Sequence, residues 1–250
     1  MKDSAAAPCG VRYARGALAT PAPLKPARPA LDAHELKLPR DFYARSTLVV
    51  ARQLIGMHLV HHDGNIRRVG RIVETEAYLG PADLAAHSAR GRTPRNDVMF
   101  GPAGFAYVYF IYGFWNCVNV VTRPQGVPQA VLVRALEPVE GLTDKTWGPG
   151  LLCRAMNIDR TLNAADLCGN TLWIERSRAG TRRARIARAT RIGVDYAGDW
   201  ALRPWRFYDQ DSPYVSTVTA ASRARAIDAR PTRSASTPDS RKGSARVSRR

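Results

Sequence analysis

Residues 72–78 read IVETEAY and place two glutamates one residue apart inside an otherwise apolar, β-branched run. Such a run is typical of a β-strand, in which successive side chains point to opposite faces. In a regular strand Glu74 and Glu76 therefore share one face with the phenol of Tyr78, and Ile72 begins the same row. A solvent-facing edge that leaves both acids in water is the ordinary explanation of such a pair. The apolar neighbours favour the alternative, in which the carboxylates are buried for a chemical purpose.

Strand signals continue on both sides of this stretch. HLVHH, a turn at Asp63-Gly64-Asn65 and IRRVGRIVETEAY predict two paired strands. FAYVYFIY and NCVNVVT flank Gly113 and predict a hairpin, and QAVLVRALEP predicts another strand. Shorter strands are predicted at residues 171–174 and 191–194.

Helix signals are fewer than strand signals. Ser46-Thr47 before LVVARQLIG predicts a capped helix, and Gly148-Pro149 predicts a helix through GLLCRAM with proline in its first turn. A short helical stretch is expected between Gly80 and His87. Because strands and helices do not alternate strictly, the pattern indicates one domain of the α+β or mixed α/β class.

Charge is the unusual feature of the composition. The 250 residues carry 38 Lys+Arg against 21 Asp+Glu, a net charge of +17. Residues 222–250 hold nine Lys/Arg and two Asp, and residues 1–38 hold six Lys/Arg and three acids, which leaves +7 on the middle of the chain. Such a balance favours a polyanionic partner, nucleic acid or an anionic membrane surface. We predict disordered extensions at residues 1–38 and 217–250 around a domain at residues 39–216.

The cysteine pattern and hydropathy exclude several classes of protein. The four cysteines form no CxxC pair, so the pattern gives no support for a zinc site or an iron–sulfur cluster. The ordinary interpretation is reduced, buried thiols. No run of 18 apolar residues is present, and the N-terminal residues lack the apolar core of a secretion signal. We expect a protein that is neither secreted nor membrane-spanning: cytoplasmic and nucleoid-associated in a bacterium, nuclear in a eukaryote.

Arg134 is the second anomaly, because it lies within the apolar run AVLVRALEP. A buried charge needs a partner, and a glutamate of IVETEAY is a plausible one, whose pKa the arginine would lower. The sequence leaves open whether that partner is Glu74 or Glu76. An ionised carboxylate beside a fixed cation can position and deprotonate a water molecule.

Aromatic and polar side chains of FAYVYFIYGFWNCVNVV form a third group. An aromatic strand is usually core, but with excess positive charge aromatics also suit base stacking. Tyr112 precedes the hairpin glycine, at a loop tip with no core to fill. His87 has the ordinary explanation of a structural histidine. Asn119 is disfavoured in a strand, which indicates a specific hydrogen-bonding role.

These motifs, in their order along the chain, resemble the 3-methyladenine (alkyladenine) DNA glycosylase family. The resemblance runs from about Leu38 to Ser216 through VGRIVETEAYLGPADLAAHSARGRTPRNDVMFGPAGFAYVYFIYGFWNCVNVV, VLVRALEP, GPGLLCRAMNID and RIGVDYAGDWALRPWRFYDQDSPYVS. It implies a single compact domain with a curved, mainly antiparallel sheet, surrounding helices and a β-hairpin that enters DNA.

Residue roles follow from this resemblance by matching positions. Glu76 matches the water-activating base and Glu74 a supporting position; Arg134 matches an arginine that holds the water together with the carbonyl at Val194. The resemblance also assigns roles to the aromatic and amide side chains: Tyr78, His87 and Tyr109 sandwich the extruded base, Tyr112 fills the vacated stack, and Asn119 disfavours guanine.

The implied activity is hydrolysis of the N-glycosidic bond of an alkylated or deaminated purine in duplex DNA. The resemblance implies no lysine nucleophile, hence a monofunctional enzyme that does not cleave the strand, and it implies no metal. We also expect no cofactor and a monomer. The rival from another class is a non-catalytic DNA-binding protein on the same scaffold.

Overall fold

The computed structural model of the chain describes residues 36–178 and 180–217. The predicted N-terminal extension, residues 1–38, and the basic tail, residues 217–250, lie almost entirely outside the described residues. The division into three segments at 39 and 217 therefore stays a prediction.

Eight strands of residues 36–178 and 180–217 form one antiparallel sheet. They are β1 (His58–His62), β2 (Arg67–Tyr78), β3 (Ala106–Ile111), β4 (Trp115–Thr122), β5 (Gln129–Glu140), β6 (Leu172–Glu175), β7 (Ile186–Ala189) and β8 (Arg206–Asp209). Their order is β3-β4-β5-β2-β1-β6, with β8 paired to β2 and β7 paired to β8. The sheet curls, and with a few helices it gives the α+β fold and mainly antiparallel sheet that the sequence predicted.

Strand β2 is the centre of this sheet because it has three partners. Strand β5 runs along one side of it, while the other side pairs first with β1 and then with β8. The change of partner falls between Arg71, opposite His58, and Glu74, opposite Tyr208. The IVETEAY segment is thereby enclosed by strands on both edges.

A β-bulge in β2 changes the predicted face of Ile72. The pairing with β5 shifts register between Ile72 and Glu74, where one extra residue is accommodated. Ile72 therefore packs in the main hydrophobic cluster with Ala77 and does not share the row of the glutamates, contrary to the regular alternation. Thr75 also points to the helix side, where its hydroxyl donates to the carbonyl of Ala51.

In the described part of the chain, three α-helices and four 3₁₀-helices surround the sheet. The α-helices are α1 (Arg40–Tyr43), α2 (Thr47–Leu54) and α3 (Pro149–Ala155), and the 3₁₀-helices are His87–Arg90, Asp97–Phe100, Arg160–Leu162 and Asp195–Trp200. Helix α2 buries Val50, Ala51 and Leu54, and α3 buries Leu152 and Cys153. These side chains meet the inner face of the sheet in one continuous core. Within the described residues, no helix has the length and apolar character needed to cross a membrane.

The helices α2 and α3 begin where the sequence predicted, but α2 lacks the predicted capping hydrogen bond. Proline occupies the first turn of α3 as expected. Ser46 precedes α2, but its side chain makes no capping hydrogen bond. The hydroxyl of Thr47 instead lies 2.8 Å from that of Thr122, so this end of the helix is tied to β4.

Two local predictions are wrong. Residues 191–194 are not a strand, because Gly193 has a φ of 75° and the Ile192 N–H donates to a carboxylate rather than to a neighbouring strand. The strands of this region are β7 and β8. Between Gly80 and His87 the chain forms turns, and the helical segment begins only at His87.

The hairpin of β3 and β4 is present as predicted. Its strands pair from Ala106 opposite Val120 to Ile111 opposite Trp115. Tyr112 lies at the tip with a φ of 55° and 78% of its surface exposed. A non-glycine residue in this left-handed region is uncommon, and here it projects an aromatic ring into solvent.

Candidate active site

Glu74 and Glu76 are both completely buried, so the explanation that places them in water is wrong. Arg134 reaches the two of them from β5. Its Nε lies 3.5 Å from Oε1 of Glu74, and one terminal nitrogen lies 3.4 Å from Oε1 of Glu76. Arg134 therefore pairs with both Glu74 and Glu76, the two candidates between which the sequence could not decide. Nε of Arg134 finds no hydrogen-bond acceptor among the described residues.

Glu74 is held by groups from the C-terminal part of the fold. Arg206 of β8 donates to its Oε1 at 2.8 Å, and the hydroxyl of Ser216 donates to the same oxygen at 3.0 Å. The backbone N–H of Ser216 donates to Oε2 at 2.8 Å. With Arg134 also near, most of the acceptor capacity of this carboxylate is used within the protein. Glu74 thus fastens β8 and Ser216 to the central strand.

Glu76 makes fewer hydrogen bonds. The N–H of Ile192 donates to Oε1 at 2.9 Å, and the hydroxyl of Tyr78 donates to Oε2 at 2.9 Å. A carboxylate oxygen can accept two hydrogen bonds, so each oxygen keeps capacity for one more donor. This difference separates two chemically identical side chains on one strand.

The pKa of Glu76 is raised, contrary to the expectation that arginine would lower it. Burial is the main cause, and the charge of Glu74 acts in the same direction. Arg134, the Ile192 N–H and the Tyr78 hydroxyl oppose the rise without cancelling it. Burial also raises the pKa of Tyr78 well above its ordinary value, so this phenol keeps its proton and remains a donor.

A cavity of about 520 Å³ opens beside this carboxylate. Eight residues were given a catalytic, base-contacting or wedge role from the sequence, and seven of them line the cavity: Tyr78, His87, Tyr109, Tyr112, Asn119, Arg134 and Val194. Glu76 is the exception, since its side chain is fully buried. Three residues that do line the cavity contact its carboxylate, namely Tyr78, Arg134 and Ile192. The structure therefore brings all eight positions to one place.

Aromatic rings form one wall of the cavity. His87 and Tyr109 meet with ring centroids 4.5 Å apart, and Tyr107 lies 5.2 Å from Tyr109. Nδ1 of His87 lies 2.9 Å from the hydroxyl of Tyr107, which fixes the imidazole ring. Loss of solvent lowers the pKa of His87, with Arg95 contributing further. The ring is therefore neutral at pH 7.

Asn119 and Val194 line the same cavity, and each has a polar group with a defined hydrogen bond. The Asn119 side-chain amide donates to the carbonyl of Tyr107 at 3.1 Å and is thereby held in one orientation. The Val194 carbonyl accepts from the N–H of Ala197 at 2.9 Å, which leaves it one further acceptor position. Both residues are buried, yet each lines the cavity.

An ion pair that the sequence reasoning missed supports these groups. Arg191 donates to both oxygens of Asp83, at 2.6 and 2.9 Å, and both side chains are fully buried. Arg191 also donates to the carbonyl of Ala77 at 3.0 Å and lies over the ring of Tyr78 at 4.8 Å. Asp83 in turn accepts from the N–H of Leu79. The pair joins the end of β2 to the segment that supplies the Ile192 N–H.

The signal for this pair was present in the sequence. Arg191 precedes Ile192-Gly193-Val194 much as Arg134 lies among apolar residues, and the same question about its partner applied. Arg206, between Trp205 and Phe207, posed that question again. Neither partner could be named without knowing that β8 lies beside β2.

Asp83→Asn is predicted to lower the free energy of unfolding by about 3–5 kcal/mol, because Arg191 would keep a buried charge without a counter-ion. Thermal and urea unfolding measure the loss. Asp97→Asn is the matched control: Asp97 pairs with Arg92 at the exposed surface, and its loss should be far smaller. Equal effects at the two sites would contradict a stabilising role of the buried pair.

Comparison with known proteins assigns the chain to a family. Residues 41–213 match the model of the methylpurine-DNA glycosylase family. A protein of Legionella pneumophila (strain Corby) is 54% identical over 180 residues, which cover 72% of this chain and 98% of that protein. Proteins of Anaeromyxobacter sp. (strain Fw109-5) and Myxococcus xanthus (strain DK1622) are 55% and 56% identical over 190 and 183 residues. These cover 76% and 72% of this chain and 97% and 93% of the relatives.

All three relatives are provisionally named 3-methyladenine DNA glycosylases. The match includes the strands that carry the buried carboxylates, the aromatic wall and the hairpin. The chain therefore belongs to the methylpurine-DNA glycosylase family of base-excision repair enzymes.

Proposed function

We propose that this DNA glycosylase takes an alkylated or deaminated purine out of duplex DNA and hydrolyses its N-glycosidic bond with a water activated by Glu76. The product is an abasic site. One observation carries the proposal: a buried carboxylate, paired with Arg134 and of raised pKa, lies at the wall of a cavity lined by aromatic rings. A volume of about 520 Å³ falls within the range of small-molecule sites.

Extrusion of the nucleotide is a chemical necessity for this reaction. The glycosidic bond cannot be reached inside a stacked duplex, and damaged pairs open at lower cost. Tyr112 supports this step because it projects an exposed ring from the hairpin tip at the cavity rim. An aromatic wedge of this kind can fill the gap that an extruded base leaves.

The aromatic wall supports recognition of the extruded base. Tyr78, His87 and Tyr109 offer ring surfaces on which a purine can stack. Electron-rich faces attract the positive charge of a methylated purine, and the neutral imidazole of His87 adds no repulsion. Asn119 lines the cavity with its orientation fixed by Tyr107, and its amide can discriminate between exocyclic groups of the base.

Glu76 has two tasks in the proposed reaction. Departure of the base builds positive charge on the sugar, as in glycoside hydrolysis, and an adjacent carboxylate stabilises that charge. The same carboxylate then accepts the proton of the attacking water. The unused acceptor positions of Glu76 and the guanidinium of Arg134, which lines the cavity, provide the contacts that such a water needs. The Val194 carbonyl offers another acceptor for it.

Monofunctional hydrolysis is the form of the reaction that the lining favours. Strand cleavage coupled to base release requires an amine nucleophile that forms a Schiff base. Within the described residues, the cavity lining contains no lysine. The buried carboxylate of Glu76, which can act as a general base, instead supports direct attack by water.

Glu76→Gln is predicted to abolish base release while leaving affinity for lesion-containing duplex nearly unchanged. Glutamine can still accept from the Ile192 N–H, and its amide can donate to the Tyr78 hydroxyl, so the site keeps its shape without a proton acceptor. Single-turnover release of hypoxanthine, with binding measured in parallel, tests this.

Glu74→Gln serves as the paired variant. It should retain much of the single-turnover rate but lose stability, because Arg206 would lack a charged partner in the core. An inactive Glu74 variant beside an active Glu76 variant would reverse the two assignments. Normal base release by Glu76→Gln would show that this carboxylate takes no part in the chemistry.

The pH dependence of the reaction should report the raised pKa of Glu76. The ionised form is the active one, so the rate falls as pH decreases through a pKa above the ordinary value of about 4.3. A 7-methylguanine substrate, already cationic, removes any need to protonate the leaving base. Glu74→Gln should move this acid limb to lower pH, since Glu74 raises the pKa of Glu76. An acid limb at or below pH 4.3 would be inconsistent with a buried base.

Tyr112→Ala is predicted to weaken capture of the extruded nucleotide, since nothing would occupy the vacated stack. Its effect on base release should be several-fold smaller when the lesion lies in a bulge, where extrusion costs less. Tyr112→Phe, which keeps the ring, is the control and should resemble the wild type. Equal losses in paired and bulged contexts would show that Tyr112 contributes only to packing.

A further inference from the structure

Arg95 lies behind the aromatic wall of the cavity. Its guanidinium carbon is 5.6 Å from the centre of the Tyr109 ring, and one terminal nitrogen donates to the carbonyl of Phe110 at 2.8 Å. Tyr109 lines the cavity, whereas Arg95 does not. The charge is therefore held against a ring that lines the cavity, while Arg95 itself adds no surface to the cavity.

The charge of Arg95 is not compensated by a carboxylate. Among the described residues Arg95 has no ion-pair partner, in contrast to its neighbour Arg92, which pairs with Asp97. Arg191, which lies behind Tyr78, is neutralised by Asp83. Tyr78 and Tyr109 thus each lie against a guanidinium group. That of Arg191 is paired with a carboxylate, whereas that of Arg95 has no ion-pair partner among the described residues.

The field of Arg95 reaches the other members of the wall. It lowers the pKa of His87, in addition to the larger effect of burial. Burial raises the pKa of Tyr107 to about 12, and Arg95 opposes that rise. Both effects mean that positive charge is disfavoured, and negative charge favoured, at the aromatic wall.

We propose that Arg95 is a specificity-determining residue that shifts the preference of the cavity from cationic methylated purines towards neutral damaged purines. The inference rests on the proposed function, because it requires the base to stack against Tyr109. It adds a selectivity element outside the residues that touch the base.

The physical reason is repulsion through the ring. A purine stacked about 3.5 Å from the face of Tyr109 that points away from Arg95 would lie about 9 Å from the guanidinium, which is 5.6 Å from the ring centre. Two unit charges at that distance near a protein surface repel enough to change a rate or a binding constant about two- to tenfold. A neutral base is not repelled in this way. The effect of Arg95 is therefore measured by the ratio of the release of a cationic base to that of a neutral base.

A phosphate contact is the competing explanation of an exposed arginine near a DNA-binding cavity. Loss of a phosphate contact weakens binding to all duplexes alike and reduces its salt dependence. It leaves unchanged the ratio of the release rates of two lesions placed in the same DNA sequence. The ratio, and not the affinity, is therefore the decisive measurement.

The experiment compares one duplex carrying 7-methylguanine with the same duplex carrying hypoxanthine. Single-turnover rates and dissociation constants are measured for the wild type and for Arg95→Lys, Arg95→Gln and Arg95→Glu. Because Arg95 is exposed, these variants should fold, and thermal unfolding checks this. Arg92→Gln is the matched control: it lies on the same loop, over the ring of Phe100, which does not line the cavity.

The expected result is a series ordered by charge. Arg95→Lys should keep the wild-type ratio, Arg95→Gln should raise the relative release of 7-methylguanine about two- to tenfold, and Arg95→Glu should raise it further. Arg92→Gln should leave the ratio unchanged. A ratio that stays constant across the Arg95 series, with activity on both lesions, overturns this inference alone. A wild type that releases neither base overturns the proposed function and this inference with it.

Discussion

Two carboxylates buried in the middle of a β-sheet impose the constraint on which the rest of this fold depends. Neither Glu74 nor Glu76 has any exposed surface, and a buried charge is tolerated only beside a counter-charge with good geometry. The two arginines that provide it come from the strands on either side of β2: Arg134 from β5 and Arg206 from β8. Charge compensation therefore requires that β5 and β8 both flank the IVETEAY segment. The charge balance of the site and the strand order of the sheet therefore depend on each other.

The two glutamates then differ in what remains available to a ligand. Glu74 is surrounded by donors from Arg206 and Ser216, so its charge is used to hold the fold together. Glu76 receives one backbone donor and one phenol, both from residues that line the cavity. Identical side chains on one strand thus acquire different roles through their surroundings, as is typical of paired carboxylates in enzymes. The Asp83–Arg191 pair extends this arrangement by fixing the segment that carries the Ile192 N–H.

Much of the fold could be predicted from the sequence, because its strongest local signals agreed with the tertiary structure. The strands around Asp63-Gly64-Asn65, the hairpin at Gly113 and the helix after Gly148 are confirmed. The β-bulge after Ile72 was missed because alternation in sequence carries no information on register. Strands β7 and β8 were missed because each is four residues long and charged side chains, Arg188 in β7 and Arg206 and Asp209 in β8, interrupt the apolar pattern. Strand β8 forms by pairing with β2, a contact between distant parts of the chain, and β7 in turn pairs with β8.

The candidate site was predictable where an unusual residue interrupted an apolar run, and not where support came from a distant segment. Arg134 among valines and leucines already required a partner, whereas the partner of Arg191 is 108 residues away in sequence. The same distinction applies to the charge of the cavity. Aromatic faces read from the sequence indicate attraction for a cationic base, but the position of Arg95 behind Tyr109 is visible only in three dimensions. Under the proposed function, attraction by the rings and by Glu76, and repulsion by Arg95 and Arg134, act on the same charge of the base. The preference between cationic and neutral purines is therefore a balance of the whole wall and cannot be assigned to the residues in contact with the base alone.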